Sequence, residues 1–398
     1  MYWLNVIAWF FAIACSIPLL VLAIECLAAL LPWTRARLPD SVTRPRCAVL
    51  IPAHNEELVL ARTLQSVASQ LGPGDRVLVV ADNCTDGTAE IVRWSGMEVV
   101  ERPDPDRRGK GYALAFGRDI LNDMPPEIVV VLDADCTLGR SALPLLVTEA
   151  AKRQRPVQAN YQMVAPVDAG PNRQVAAFAF LVKNFVRPLG LRRLDHPCLL
   201  TGAGMAFPWE VFRDAPLAHG HIVEDMGLSV DLALAGQSPW FVPDAEVFGE
   251  FPVDERATDS QRRRWEHGHL QVIRENVPRL LIAACRRGRI GLMTLALDIG
   301  VPPLSALIIA TGIILTGLGL WDVFGGTSGP MALLGGTLSL AVISLCGVWW
   351  QYGRGLLPGA SLARIPAYAV QKIPLYIGFV LKPQKEWVRT ARGETKHL

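Results

Sequence analysis

From Arg46 to Cys136, short apolar runs alternate with stretches whose apolar residues recur every three or four positions. RCAVLIPAH, RVLVVAD, MEVVER and EIVVVLDAD are the short runs, bounded by proline, glycine, asparagine and aspartate, and this spacing predicts strands. Between the first two, NEELVLARTLQSVASQL puts Leu60, Leu64, Val67 and Leu71 on one helical face. CTDGTAEIVRWSG opens with helix-start residues and closes on glycine, and KGYALAFGRDILND is the third helical piece. Strand and helix in regular alternation predict an α/β domain, a mostly parallel sheet with helices on both faces. Such sheets bind ligands beyond the carboxyl ends of their strands. Asn55, Glu56, Asp82, Asp133 and Asp135 all fall at such ends.

Longer apolar stretches lie outside this pattern. They run from about Trp3 to Leu31, with Glu25 as sole charge, from Leu292 to Leu320, with Asp298 near the start, and from Met331 to Trp350. Roughly 20 apolar residues match the bilayer thickness, so all three are expected to span. Trp3, Trp33, Trp321, Trp349 and Trp350 sit at their edges, where an indole is favoured. Arg35, Arg37, Arg44 and Arg46 follow the first stretch, Arg286, Arg287 and Arg289 precede the second, and Arg354 and Arg364 follow the third. The loop WDVFGGTSGP carries no lysine or arginine, which places the basic flanks in the cytosol and the N-terminus outside, as in a bacterial inner membrane. RIPAYAVQKIPLYIGFVL, Arg364 to Leu381, is interrupted by prolines and a lysine and reads as a re-entrant or interfacial segment. The expected division is an anchor at 1–34, a cytosolic α/β domain at 35–260, an amphipathic interfacial region at 261–290, two spans at 291–352, and a re-entrant segment with a basic tail at 353–398.

Composition narrows the classes. The 398 residues are 51% hydrophobic with a net charge of +2, too small for a nucleic-acid-binding face. The 8 cysteines include no C-x-x-C pair, which argues against a disulfide framework or a zinc site. IPAHNEE has no glycine, so neither a Rossmann nor a P-loop phosphate motif follows the first strand. Three spans are also few for a repeat-built transporter.

The strand ending VVVLDADC raises the chemical question. Asp133 and Asp135 are one residue apart, and in extended chain they share a side. Like charges that close repel, so a positive group or a divalent cation is expected beside them; Mg²⁺ takes one or two carboxylates plus substrate phosphates. RRGKGYALA sets Lys110 and two arginines beside glycines at a helix start, an anion-binding arrangement. IVEDMGLSVDLALAGQ puts Glu224 and Asp225 at another helix start. QRRRW supplies Arg264, suited to phosphate, and Trp265, whose indole face can stack on a sugar.

VLIPAHNEE, ADNCTDGTAEI, RGKGYAL, LDADC, TGAGMAF, VEDMGLSVDLALAG and QRRRW occur in the order found in family 2 glycosyltransferases. The chain resembles most the membrane-embedded branch with cellulose, chitin and hyaluronan synthases and ceramide glucosyltransferase, over roughly Cys47 to His269. The resemblance implies the GT-A fold, a nucleotide-sugar donor, UDP-linked, and Mg²⁺ or Mn²⁺. It implies that Ala53, His54, Glu56 and Asp82 hold the nucleotide, and that Lys110 lies near the nucleotide-sugar. Asp133 is implied near the ribose and metal, Asp135 on the metal. Asp225 is implied as general base, Gly202 and Glu224 beside the acceptor, and Gln261, Arg264 and Trp265 at the diphosphate and acceptor. The implied acceptor is a growing polysaccharide or, alternatively, a membrane lipid. Two departures stand out: Asn83 replaces a frequent second acid, and the spans are sparse for a translocation channel.

Overall fold

The computed structural model describes residues 2–32, 44–164, 170–218, 224–251 and 255–381. Arg35, Arg37, part of FPVDERATDS and the basic tail after Leu381 lie outside them. The chain divides into two compact units, one of residues 33–164, 197–265 and 385–398, the other of residues 1–32, 165–196 and 266–384.

The first unit is built on an eight-stranded sheet. Its strands are β1 (Cys47–Ala53), β2 (Arg76–Asp82), β3 (Glu98–Arg102), β4 (Ile128–Val131), β5 (Thr137–Leu138), β6 (Val157–Val164), β7 (Met205–Pro208) and β8 (Trp240–Glu250). The spatial order is β3-β2-β1-β4-β7-β6-β8-β5. The β3-β2-β1-β4 half is parallel throughout. β7 then runs antiparallel to both β4 and β6, β6 pairs parallel with β8, and β5 pairs antiparallel with β8. Parallel central strands are covered on both faces, and β4 is accordingly buried at every position, IVVV. Leu50, Leu78, Val129, Met205 and Phe207 pack with Leu114 and Leu121 of the helix Lys110–Leu121 in one core. That helix sits close to the sheet at Gly117, where a Cβ would come 2.5 Å from Leu50 Cδ1.

One helix and one strand are shorter than the sequence pattern suggests. The helix expected from Asn55 begins at Leu60, because Asn55 adopts a left-handed φ of 56° that cannot open a helix. β4 ends at Val131, so Asp133 and Asp135 are not carried by strand alternation. They occupy a tight turn closed by the Cys136 N–H donating to the Asp133 carbonyl at 3.0 Å.

The second unit contains the apolar helices. Three are long and apolar enough to cross a membrane: Tyr2–Ala29, Leu304–Val323 and Gly329–Gly353. The expected stretch from Leu292 is broken into Ile290–Ile299 and Leu304–Val323, since Pro302 and Pro303 offer no N–H to continue the ladder. The C-terminal apolar stretch forms the short helices Ile365–Gln371 and Ile373–Leu381 in place of one long one. Residues 165–196, expected within the α/β domain, group instead with the apolar helices. They form helices Pro171–Leu181 and Arg187–Arg193 around a π-helical turn, Val182–Val186, placed where Pro188 lacks the N–H that would bond back to Asn184.

Candidate active site

At the carboxyl ends of β1 and β2 the loops are laced together by short polar side chains. Asn55 Oδ1 accepts from the Thr85 N–H at 2.7 Å, the Glu56 N–H donates to Thr88 Oγ1 at 2.8 Å, and Glu57 Oε2 accepts from the Gly87 N–H at 2.8 Å. Asp86 accepts from the N–H of Thr88 at 3.1 Å, a local turn just before the helix Thr88–Trp94, whose N-cap is Gly87. Ala53 is buried at the end of β1, and the adjacent His54 Nδ1 meets the Asp82 carbonyl at 2.6 Å. These contacts bring Ala53, His54, Glu56 and Asp82 to one end of the sheet.

Asp82 is more constrained than the sequence indicates. Its Oδ1 accepts from Arg102 Nη1 at 2.6 Å and from Asn83 Nδ2 at 3.0 Å. Burial raises the carboxyl above its ordinary range, while Arg102 and His54 oppose the rise. Arg102, at the end of β3, also donates to Asp104 Oδ2 at 2.9 Å and to the Arg107 carbonyl at 2.8 Å. Asn83 has a φ of 52° and bonds Asp104 twice, donating to its carbonyl and accepting from its N–H. This accounts for asparagine where an acid is frequent: a carboxylate supplies no donor for the Asp104 carbonyl, and asparagine tolerates the left-handed conformation. Arg102 was missed by the sequence reading; the signal for it is an arginine ending an otherwise apolar strand.

A second group gathers around Gly202. This residue has a φ of 94°, and a Cβ on it would lie 3.4 Å from Asp225 Oδ2, 3.5 Å from Lys110 Nζ and 3.9 Å from Asp133 Oδ2. Three segments remote in sequence therefore converge on one backbone position that carries no side chain. Lys110 Nζ is bonded to Asp133 Oδ1 and donates to the Gly202 carbonyl at 2.8 Å. It is the positive neighbour the paired aspartates require. Burial pulls the Lys110 amine down, yet Asp133, Glu224 and Asp225 outweigh it and hold the group charged, above its usual value. Glu224 is pushed up to about 7 by burial, with Asp225 and Asp133 adding and Lys110 opposing.

Asp133, Asp135 and Cys136 present ligand atoms within 4.8 Å of one another. Burial holds the Cys136 thiol well above its usual value, so it stays protonated. The donor set open to a cation is thus the two carboxylates, which fits a hard divalent ion such as Mg²⁺ or Mn²⁺. Arg264 belongs to the same neighbourhood: burial lowers its guanidinium, against the pull of Glu224, Asp133, Asp135 and Asp225. Gln261 and Trp265 share the helix Glu255–Arg287 with it, at spacings that put all three on one face. Arg264 is brought to the acids.

The parallel β3-β2-β1-β4 half with antiparallel β7, and acids at the strand ends, define a GT-A fold. Residues 45–268 match the family model described as glycosyltransferase like family 2, and the chain belongs to that family. It is similar to the probable glycosyltransferase YdaM of Bacillus subtilis, 27% identical over 255 residues that make up 58% of this chain and 56% of that protein. It is also similar to β-monoglucosyldiacylglycerol synthase of Synechocystis, 32% identical over 111 residues, covering 26% of this chain and 22% of that protein. The chain spans about half the length of the first of these relatives and less of the second. Among solved structures, the mannosyltransferase PcManGT of Pyrobaculum calidifontis, in complex with GDP-Man and Mn²⁺, superposes with a TM-score of 0.56. That match has 21% identity, covers 95% of this chain and 100% of the other, and shows the shared fold.

Proposed function

We propose that this protein is a membrane-integrated, inverting glycosyltransferase that moves a sugar from a UDP-sugar to a membrane-held acceptor. The observation that carries the reading is the convergence of Lys110, Asp133 and Asp225 on Gly202. Asp133 and Asp135 would hold a divalent ion, which supplies positive charge to the departing diphosphate. Lys110 and Arg264 add cationic donors on the same side. Ala53, His54, Glu56 and Asp82 form the nucleotide end, and one imide N–H of uracil suits the carboxylate of Asp82, whose Oδ1 is engaged by Arg102 and Asn83. Asp225 takes the proton of the acceptor hydroxyl as its oxygen bonds to the anomeric carbon. The bond from that carbon to the diphosphate breaks in the same step. With Asp225 as base and the diphosphate as leaving group, one displacement inverts the anomeric centre.

The proposed acceptor is a growing polysaccharide, supported by the Q-x-x-R-W set Gln261, Arg264 and Trp265. Transfer of a single sugar to a lipid is the second reading, favoured by only three span-length helices among the described residues and by the lipid-glycosylating name of the Synechocystis relative. The three helices and the basic flanks support a cytosolic catalytic unit with the N-terminus outside. Purified protein given UDP-sugars, Mg²⁺ or Mn²⁺ and a lipid extract should release UDP, and Asp225→Asn should lower kcat by about 10²–10⁴ while nucleotide binding persists. Unchanged turnover in that variant removes the base assignment. Mass spectrometry of the product separates a ladder from a single increment.

A further inference from the structure

The first and second apolar stretches each carry one acid, and the reaction uses neither. Within the unit of apolar helices these acids meet at Arg187. Its Nε donates to Glu25 Oε2 at 2.6 Å, and its Nη2 donates to Asp298 Oδ1 at 2.5 Å and to the Asp298 carbonyl at 2.6 Å. Glu25 is 2% exposed, and Arg187 and Asp298 are 5% exposed. Glycine at 190 permits this closeness, since a Cβ there would overlap the Glu25 carbonyl.

The charges do not balance. Two carboxylates and one guanidinium leave one negative charge in an apolar interior, where an uncompensated charge is costly. Lys183 lies one turn before Arg187, and among the described residues the cation bonded to both acids is Arg187. Cys26 is the next residue on the same helix. Tyr352 comes from the π-helical turn after the third apolar helix, and its hydroxyl bonds to the Ala29 carbonyl at 2.8 Å. His269 bonds to the Ile299 carbonyl at 3.1 Å and is kept neutral by burial, with Lys183 and Arg187 adding. Gly329–Val348 contributes no charged residue, and the one charge of Leu304–Val323 is Asp322 at its far end.

Glu25 Oε1 is buried and, among the described residues, accepts from no donor. Glu25 Oε2 and Asp298 Oδ1 accept from the same guanidinium, which makes the two carboxyl groups neighbours. Two ionised carboxylates have only acceptors to offer each other, so a bond between them needs a proton.

We propose that Glu25 and Asp298 share one bound proton, a membrane-embedded proton site that makes the Glu25–Arg187–Asp298 triad neutral. The proton occupies the place of the missing donor at Glu25 Oε1. The triad then ties the N-terminal helix, the Arg187–Arg193 helix and the Ile290–Ile299 helix together without net charge.

The test uses the full chain in detergent or nanodiscs. Glu25→Gln and Asp298→Asn each replace a shared proton by an amide N–H and keep one negative charge for Arg187. Each single variant should yield folded, monodisperse protein within about twofold of wild type, and the double variant E25Q/D298N should lose about tenfold or more, because a lone buried guanidinium remains. Infrared difference spectra should show one protonated-carboxyl C=O band of the wild type missing from both single variants. Two results overturn the proposal: a band unchanged in E25Q, or a double variant that folds as well as either single. A single glutamine substitution that prevents folding also overturns it, since glutamine reproduces the protonated acid in shape and donor.

Discussion

Glu224→Gln should make the protein more stable, and more so as the pH rises. The Glu224 carboxyl sits beside Asp225 and Asp133, and its value moves from an ordinary 4.5 up to about 7. Below pH 4.5 the group is protonated in both folded and unfolded chains and costs nothing. Between 4.5 and 7 the unfolded chain releases the proton while the folded one keeps it, so stability falls with rising pH. Above 7 the whole penalty is present. A difference of about 2.5 units at 1.36 kcal/mol each is roughly 3 kcal/mol, an upper bound because Glu224 is only part-buried. Glutamine has no such titration. Melting of chelated, donor-free wild type and E224Q should therefore coincide near pH 4 and separate progressively to pH 8, the variant melting higher. Parallel curves across that range would refute the assignment of a buried, acid-crowded carboxyl. If Glu224 also contributes to acceptor or diphosphate binding, the stabilised variant should turn over more slowly, a trade of activity for stability.

Three further outcomes follow from the same geometry. Removing the divalent ion with a chelator, or Asp135→Asn, should abolish sugar transfer and weaken nucleotide-sugar binding in calorimetry, and transfer that survives chelation would count against the carboxylate pair as the metal site. Lys110→Met should cut kcat by about 10²–10³, the range for losing one preorganised charge donor, with a smaller loss in Lys110→Arg; equal KM and kcat effects in both would point to a folding defect. Arg102→Met should destabilise the sheet unit by about 3–5 kcal/mol, since buried Asp82 would lose the guanidinium hydrogen-bonded to its Oδ1, and should weaken UDP binding more than it changes the chemical step. Thermal shift with and without UDP separates these two effects.

Some of this was visible in the chain alone, because the relevant signals are local. The run IVVV predicts a two-sided buried strand, and β4 is one. The alternation from Cys47 to Asp135 gives the parallel half of the sheet in the right order of elements. The acids at strand ends and the helix-start residues Lys110, Glu224 and Asp225 were all nameable as candidates. The apolar stretches were legible by length, except where Pro302 and Pro303 divide one of them, a break that the same chemistry accounts for.

Partnership was decided only by the folded chain. Asp133 and Asp135 are presented by a turn and not by the alternation of a strand, which the local pattern does not reveal. Nothing local says that Lys110 is the cation beside Asp133, or that Gly202 is the bare position where Asp225 approaches. Arg102 closes on Asp82, and Arg187 stands between Glu25 and Asp298, acids that the chain separates by most of its length. Periodicity along a chain records which way each residue faces. Which charges meet depends on the crossovers and packing that bring distant segments together, and on the low dielectric that makes an unpaired charge costly once they are buried.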